Sequence, residues 1–158
     1  MNVIKKTIIG ALAKTSSPMT QLLLRGMGNF GKAFYQKFGQ DAIPVITDTV
    51  SQGGVELARV IQKTWSVKSM KDVGEVYKMT APIMGANMTS METSERVFSF
   101  KTTKCPLGLE GTCKELCEAM MITDQKEIGA LLGHEVEMKI PRSLAAGNDH
   151  CEIIFSMK

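Results

Sequence analysis

Three of the four cysteines, Cys105, Cys113 and Cys117, stand within thirteen positions in KCPLGLEGTCKELC, and the fourth, Cys151, lies in GNDHCEIIF. A cysteine thiolate binds soft metals and attacks electrophilic carbon. The segment therefore admits three chemistries: a cysteine-ligated metal or iron–sulfur centre, a reactive nucleophile with helpers, or inert buried thiols. The spacing C-x7-C-x3-C…C is neither a zinc-finger nor a ferredoxin spacing, which would pair cysteines two to four apart. The chemistry must come from how the chain folds around these residues.

One helix starting at Pro106 would hold Cys105 and Cys117 about 18 Å apart, too far for one metal. Gly108 and Gly111 argue against that helix, and Thr112-Cys113-Lys114-Glu115 has the form of a capping box with Thr112 as N-cap. The reading is a strand ending at Cys105, a loop PLGLEG, and a helix from Cys113 to about Met121. Cys113 and Cys117, four apart, then stack on one helix face. Cys113 falls in the first turn, where the helix dipole favours thiolate. Cys151 joins them if the last strand lies beside the one ending at Cys105. The expected centre is zinc or an iron–sulfur cluster held by Cys105, Cys113, Cys117 and Cys151. In the alternative, Cys105 or Cys151 is the nucleophile and Asp149 or His150 assists proton transfer.

The remaining polar candidates have plainer readings. His134 follows Gly133 where a helix end explains it, and Asp149 suits a turn. His150 points to the strand face opposite Cys151. Asp124 and Glu127 form a second capping box with a structural role. No Ser-His-Asp order, His-x-x-x-His pair or paired-carboxylate signature is visible. RGMGNFG spells G-x-G-x-x-G at Gly26, Gly28 and Gly31, but no strand precedes it and no βαβ unit surrounds it. We read it as a glycine-rich helix permitting close packing.

The elements that must position these residues divide the chain in two. The first part, 1–68, reads helical, with a helix starting at Pro18 and a second from about Pro44 to Trp65. A shorter helix follows from about Ser69 to Met84. Strands are expected over about 86–92 and 95–104, where Phe98 and Phe100 share a face. HEVEMKI and CEIIFSMK alternate as two further strands, joined by the turn AAGND as a hairpin. Two short helices lie between the strand pairs. The fold class is α+β: N-terminal helices, then a mostly antiparallel four-stranded sheet with a two-helix insertion, all in a single domain over 1–158.

Composition excludes several classes. Apolar residues make up 44% and charged residues 22% of 158, as in soluble globular proteins, and a net charge of +3 does not imply a nucleic-acid partner. No stretch reaches the roughly 18–20 apolar residues of a membrane span. The first 40 residues carry basic but no acidic side chains, so a basic amphipathic helix over residues 1–15 lying on a membrane surface is an alternative to one packed on the domain. TIIGALA is too short a run for an export signal, which points to a reducing, cytoplasmic setting where clustered cysteines serve as ligands or catalysts.

The C-terminal half carries a resemblance. KCPL after a strand, CKELCEAMMITD leading into a helix, and the GNDHC segment before a final Phe resemble the L-2-amino-thiazoline-4-carboxylic acid hydrolase-like family, and more distantly 4-vinyl reductase-type ligand-binding domains. The similarity spans roughly residues 70–158. It implies a sheet flanked by helices with a small-molecule pocket, around which Cys105, Cys117, Asp124, Asp149 and Cys151 cluster. The hydrolase members open a thiazoline ring. The reductase-type relatives include sensory domains with a cysteine-rich zinc site, and Ser143 stands here where one of those cysteines would fall. The leading expectation is thus a cytoplasmic small-molecule-binding protein with a cysteine-ligated metal or iron–sulfur centre, acting in metal- or sulfur-linked chemistry or sensing. The alternatives are a hydrolase of a cyclic C–N or C–S bond and a non-catalytic, membrane-associated binding protein. A homodimer is compatible with each.

Overall fold

The computed structural model describes the backbone of residues 3–158 and the side chains of residues 17–158. The basic segment read as a membrane-surface helix, residues 1–15, lies outside the described side chains. Four α-helices, α1 (Val3–Phe38), α2 (Ala42–Gln62), α3 (Met70–Met84) and α4 (Lys114–Leu132), accompany four strands, β1 (Met88–Thr93), β2 (Val97–Thr102), β3 (Val136–Arg142) and β4 (Cys151–Met157). The sheet order is β1-β2-β4-β3, and every neighbouring pair is antiparallel. The expected α+β class and the expected final hairpin are both present.

The strands form because period-2 alternation puts Phe98, Phe100, Ile153 and Phe155 on one face, where all four are buried. Phe98 stacks on Phe155 with centroids 6.0 Å apart, and Tyr77 of α3 meets Phe98 edge-on at 5.0 Å. On the solvated face Lys101 pairs with Glu152 across β2 and β4. Helix α3 begins at Ser69 with a full capping box: the Asp72 amide donates to the Ser69 hydroxyl, and the Asp72 carboxylate accepts from the Ser69 amide. It approaches the sheet closely at Gly74, where a Cβ would fall 2.4 Å from Thr93 Cγ2.

Helix α4 runs against both the sheet and α2. The α2–α4 contact closes at Gly54, where a Cβ would stand 2.2 Å from the Thr123 carbonyl. The Thr123 hydroxyl donates to the Val50 carbonyl at 3.2 Å beside it. The glycine-rich reading of RGMGNFG holds: all three glycines lie in α1, with Gly28 against the Leu107 carbonyl and Gly31 against Met120 Sδ.

Four expectations are corrected. Helix α1 does not start at Pro18 but passes through it. The Ser17 hydroxyl, donating to Ile83 of α3 and accepting from Gln21, ties down the turn that proline weakens. The two-helix insertion is one helix, α4. Its N-cap is Cys113, in extended conformation, rather than Thr112, whose hydroxyl donates to Leu109 instead. Asp124 and Glu127 are no second capping box but lie within α4, because Val50 and Tyr77 supply Thr123 and Asp124 with the partners a helix end would have given.

Candidate functional site

Two buried thiols, Cys117 and Cys151, lie near the end of the sheet where β2 leaves and β4 begins, with Cys105 in the loop after β2. Cys151 opens β4 opposite Thr102 of β2, and the Leu144 amide donates to its sulfur at 3.3 Å. Cys117 projects from α4 toward the same point. Ser143, 1% exposed, accepts from the Ala145 amide and lies near enough to both sulfurs to oppose the rise in their pKa values. Cys105, in the loop after β2, is near enough to act electrostatically on both, and its amide donates to Glu110. Cys105, Cys117 and Cys151 thus influence one another electrostatically.

Cys113 does not. As an extended N-cap it is outside the helical stack, so the four-residue spacing no longer places it above Cys117. It faces α1, where it lies beside Tyr35 and raises that group's pKa. Among the described residues no group of three or more His, Cys, Asp or Glu side chains is arranged to hold a metal ion. With Cys113 turned to α1, the donor set does not fit a four-thiolate zinc or iron–sulfur centre.

Burial sets the chemistry of this cluster. It pushes Cys117 up to about 11 and raises Cys151, with Ser143 opposing the shift in both. At neutral pH both sulfurs are protonated, a poor state for attack. The proposed helpers engage each other, and His150 Nε2 is buried without a hydrogen-bond partner among the described residues. His150 Nδ1 lies 2.6 Å from Asp149 Oδ1, and Asp149 is exposed and also paired with Arg142. This lowers the Asp149 pKa, chiefly through His150. The groups acting on the Cys151 thiol are the Leu144 amide, Cys105, Ser143 and Glu110, with neither Asp149 nor His150 among them.

Two features escaped the sequence reading. The first is a group of acids turned inward from α4. Tyr77 donates to Asp124 at 2.8 Å, burial raises Asp124 to about 6, and burial with Asp124 nearby raises Glu127 to about 8. Their spacing was a usable signal: Cys117, Met120, Asp124, Glu127, Ile128 and Leu131 fall on one face of a single helix.

The second is an open cleft of about 660 Å³ between α3 and β1, within the size range of small-molecule sites. Ala81, Pro82, Met88 and Met91 supply its apolar wall, with Lys78 and Asn87 among its polar lining. Strict alternation would put Met88 and Met91 on opposite faces. A register shift between Met88 and Ser90 turns both toward α3, as the half-buried state of each records.

No family model matches the chain, the thiazoline hydrolase-like family included, and no curated protein matches it. Solved structures share its fold, among them a sensory domain and a trafficking-complex subunit. The phenol-responsive sensory domain of the transcription activator PoxR, solved with phenol, aligns at 15% identity with a TM-score of 0.57, covering 85% of this chain and 74% of that one. A trafficking protein particle complex subunit 3 from Naegleria fowleri, solved covalently bound to palmitic acid, aligns at 16% identity with a TM-score of 0.59, covering 88% of this chain and 95% of that one. Among the described residues no helix is long and apolar enough to cross a membrane.

Proposed function

We propose that this chain is a non-catalytic binding domain for a small, largely apolar molecule taken up in the cleft between α3 and β1. The observation that carries the reading is the bulge in β1, which turns Met88 and Met91 onto the wall formed by Ala81 and Pro82. Methionines make an adaptable apolar surface, suited to ligands of more than one shape. Lys78, which shares the lining with Glu75, offers a positive charge for an acidic or phenolic end. Support comes also from the two fold neighbours, which hold a phenol and a fatty acyl group. A sensory role follows naturally, since a ligand bridging α3 and the sheet edge would couple their positions.

The hydrolase reading is not favoured, because burial keeps Cys117 and Cys151 protonated and Asp149 and His150 engage each other. Thermal unfolding and calorimetry with phenol and with decanoic acid test the proposal. We expect at least one to raise the unfolding midpoint, Met91→Gln to weaken that effect, and Lys78→Ala to weaken the acid more than a neutral analogue. A midpoint unmoved by both compounds, or moved equally in Met91→Gln, would overturn it.

A further inference from the structure

Helix α1 is apolar on two faces. Its inner side packs on the domain through Leu24, Gly28 and Gly31, while its outer side exposes Met19, Leu22, Leu23, Met27 and Phe30. Leu22 is 67% and Phe30 72% exposed, far above what isolated surface apolar residues need. Met19, Gly26 and Ala33 recur every seven residues along the middle of this outer face. Among the described residues nothing packs on this outer apolar face.

We propose that α1 is the interface of a two-fold symmetric dimer of this chain, in which two copies of α1 pack antiparallel about Gly26. The area suits this occupant: the outer face offers on the order of 700 Å² of apolar surface, beyond the ~300–600 Å² of a typical monomer's largest patch and near the ~800 Å² each partner gives a standard interface. Charge suits it too. Between Met19 and Gln36 the midline carries no charged side chain; Arg25 lies on a flank and Lys32 is drawn inward to the Gly108 carbonyl. Charge depletion at the centre marks an interface between proteins.

The shape is self-complementary. A two-fold axis through Gly26 brings Phe30 of each copy onto Leu22 of the other, and Ala33 onto Met19, so large faces large at the flanks and small receives large at the ends. Gly26 lies at the crossing, where the missing side chain permits close approach; within one copy its Cβ position is open, with nothing within 4 Å. A lipid surface would have no use for a glycine there.

Sedimentation velocity on the full chain tests the proposal. We expect twice the chain mass at micromolar concentration. Gly26→Glu should give a monomer with unchanged helical circular dichroism and a thermal midpoint that no longer rises with protein concentration, since that position is open in one copy. Leu22→Lys and Phe30→Glu should each be monomeric alone and form a heterodimer when mixed, a result that reads the register. A wild-type monomer overturns the proposal, as does a dimer that survives Gly26→Glu. Binding of monomeric wild type to anionic phosphatidylserine vesicles, abolished by Phe30→Glu, would instead assign the face to a membrane and overturn it equally.

Discussion

The Tyr77 hydroxyl donates to the Asp124 carboxylate at 2.8 Å, tying α3 to the middle of α4 in the packed interior. A carboxylate this far from water depends on its donor. Tyr77→Phe is therefore expected to cost about 1–3 kcal/mol near neutral pH. Asp124 ionises at about 6, so the cost should shrink in acid, where the group is already neutral. Urea unfolding of both forms on either side of that pH measures it; a cost independent of pH would show that the hydroxyl acts through packing alone.

Glu127 gives the domain an unusual pH dependence. Its carboxyl ionises at about 8 in the folded chain against 4.5 when free, chiefly because it is buried. Between those values the folded state holds a proton that the unfolded state has released. Stability from this group is full below 4.5 and is lost as pH rises to about 8; Asp124 adds the same sign between 3.8 and about 6. Glu127→Gln should flatten the profile and be more stable than wild type above pH 8 by about 1–3 kcal/mol. Equal midpoints for the two proteins at alkaline pH would refute a buried, proton-holding Glu127.

Two adjacent glycines of α2 should respond oppositely to alanine. Gly53 has nothing within 4 Å of its Cβ position, and Gly53→Ala should stabilise by about 0.5–1 kcal/mol through helix propensity. A Cβ at Gly54 would sit 2.2 Å from the Thr123 carbonyl, so Gly54→Ala must push α2 from α4 and should cost about 1–3 kcal/mol. Thermal midpoints of the two variants decide whether the helices are as close as described.

The thiols should sort by environment. Half-buried Cys105 and Cys113 are expected to react with iodoacetamide in the native protein well before buried Cys117 and Cys151. Ser143→Ala removes a polar group that favours the Cys117 thiolate and should slow that residue further. Mass-spectrometric mapping of a time course gives the order; rapid labelling of Cys117 in folded wild type would contradict its protonated state.

The sequence by itself determined what local pattern encodes. Alternation set the strands and their buried faces at Phe98, Phe100, Ile153 and Phe155. Ser69 and Asp72 set the start of α3. The glycines of RGMGNFG announced a close-packed helix. The antiparallel sheet was legible too, and it set the start of β4 beside the end of β2. The tertiary structure alone decided the rest, because those outcomes depend on partners far along the chain. Asp124 reads as a helix cap until Tyr77, 47 residues away, supplies its hydrogen bond. Cys113 reads as a first-turn ligand until the helix begins one residue later, leaving it extended and facing Tyr35. Met88 and Met91 share a wall only because β1 slips by a residue against β2. Capping and alternation are local energies of a few kcal/mol at most. A buried carboxylate, a close helix contact or a bulge can outweigh them, and none is written in neighbouring residues.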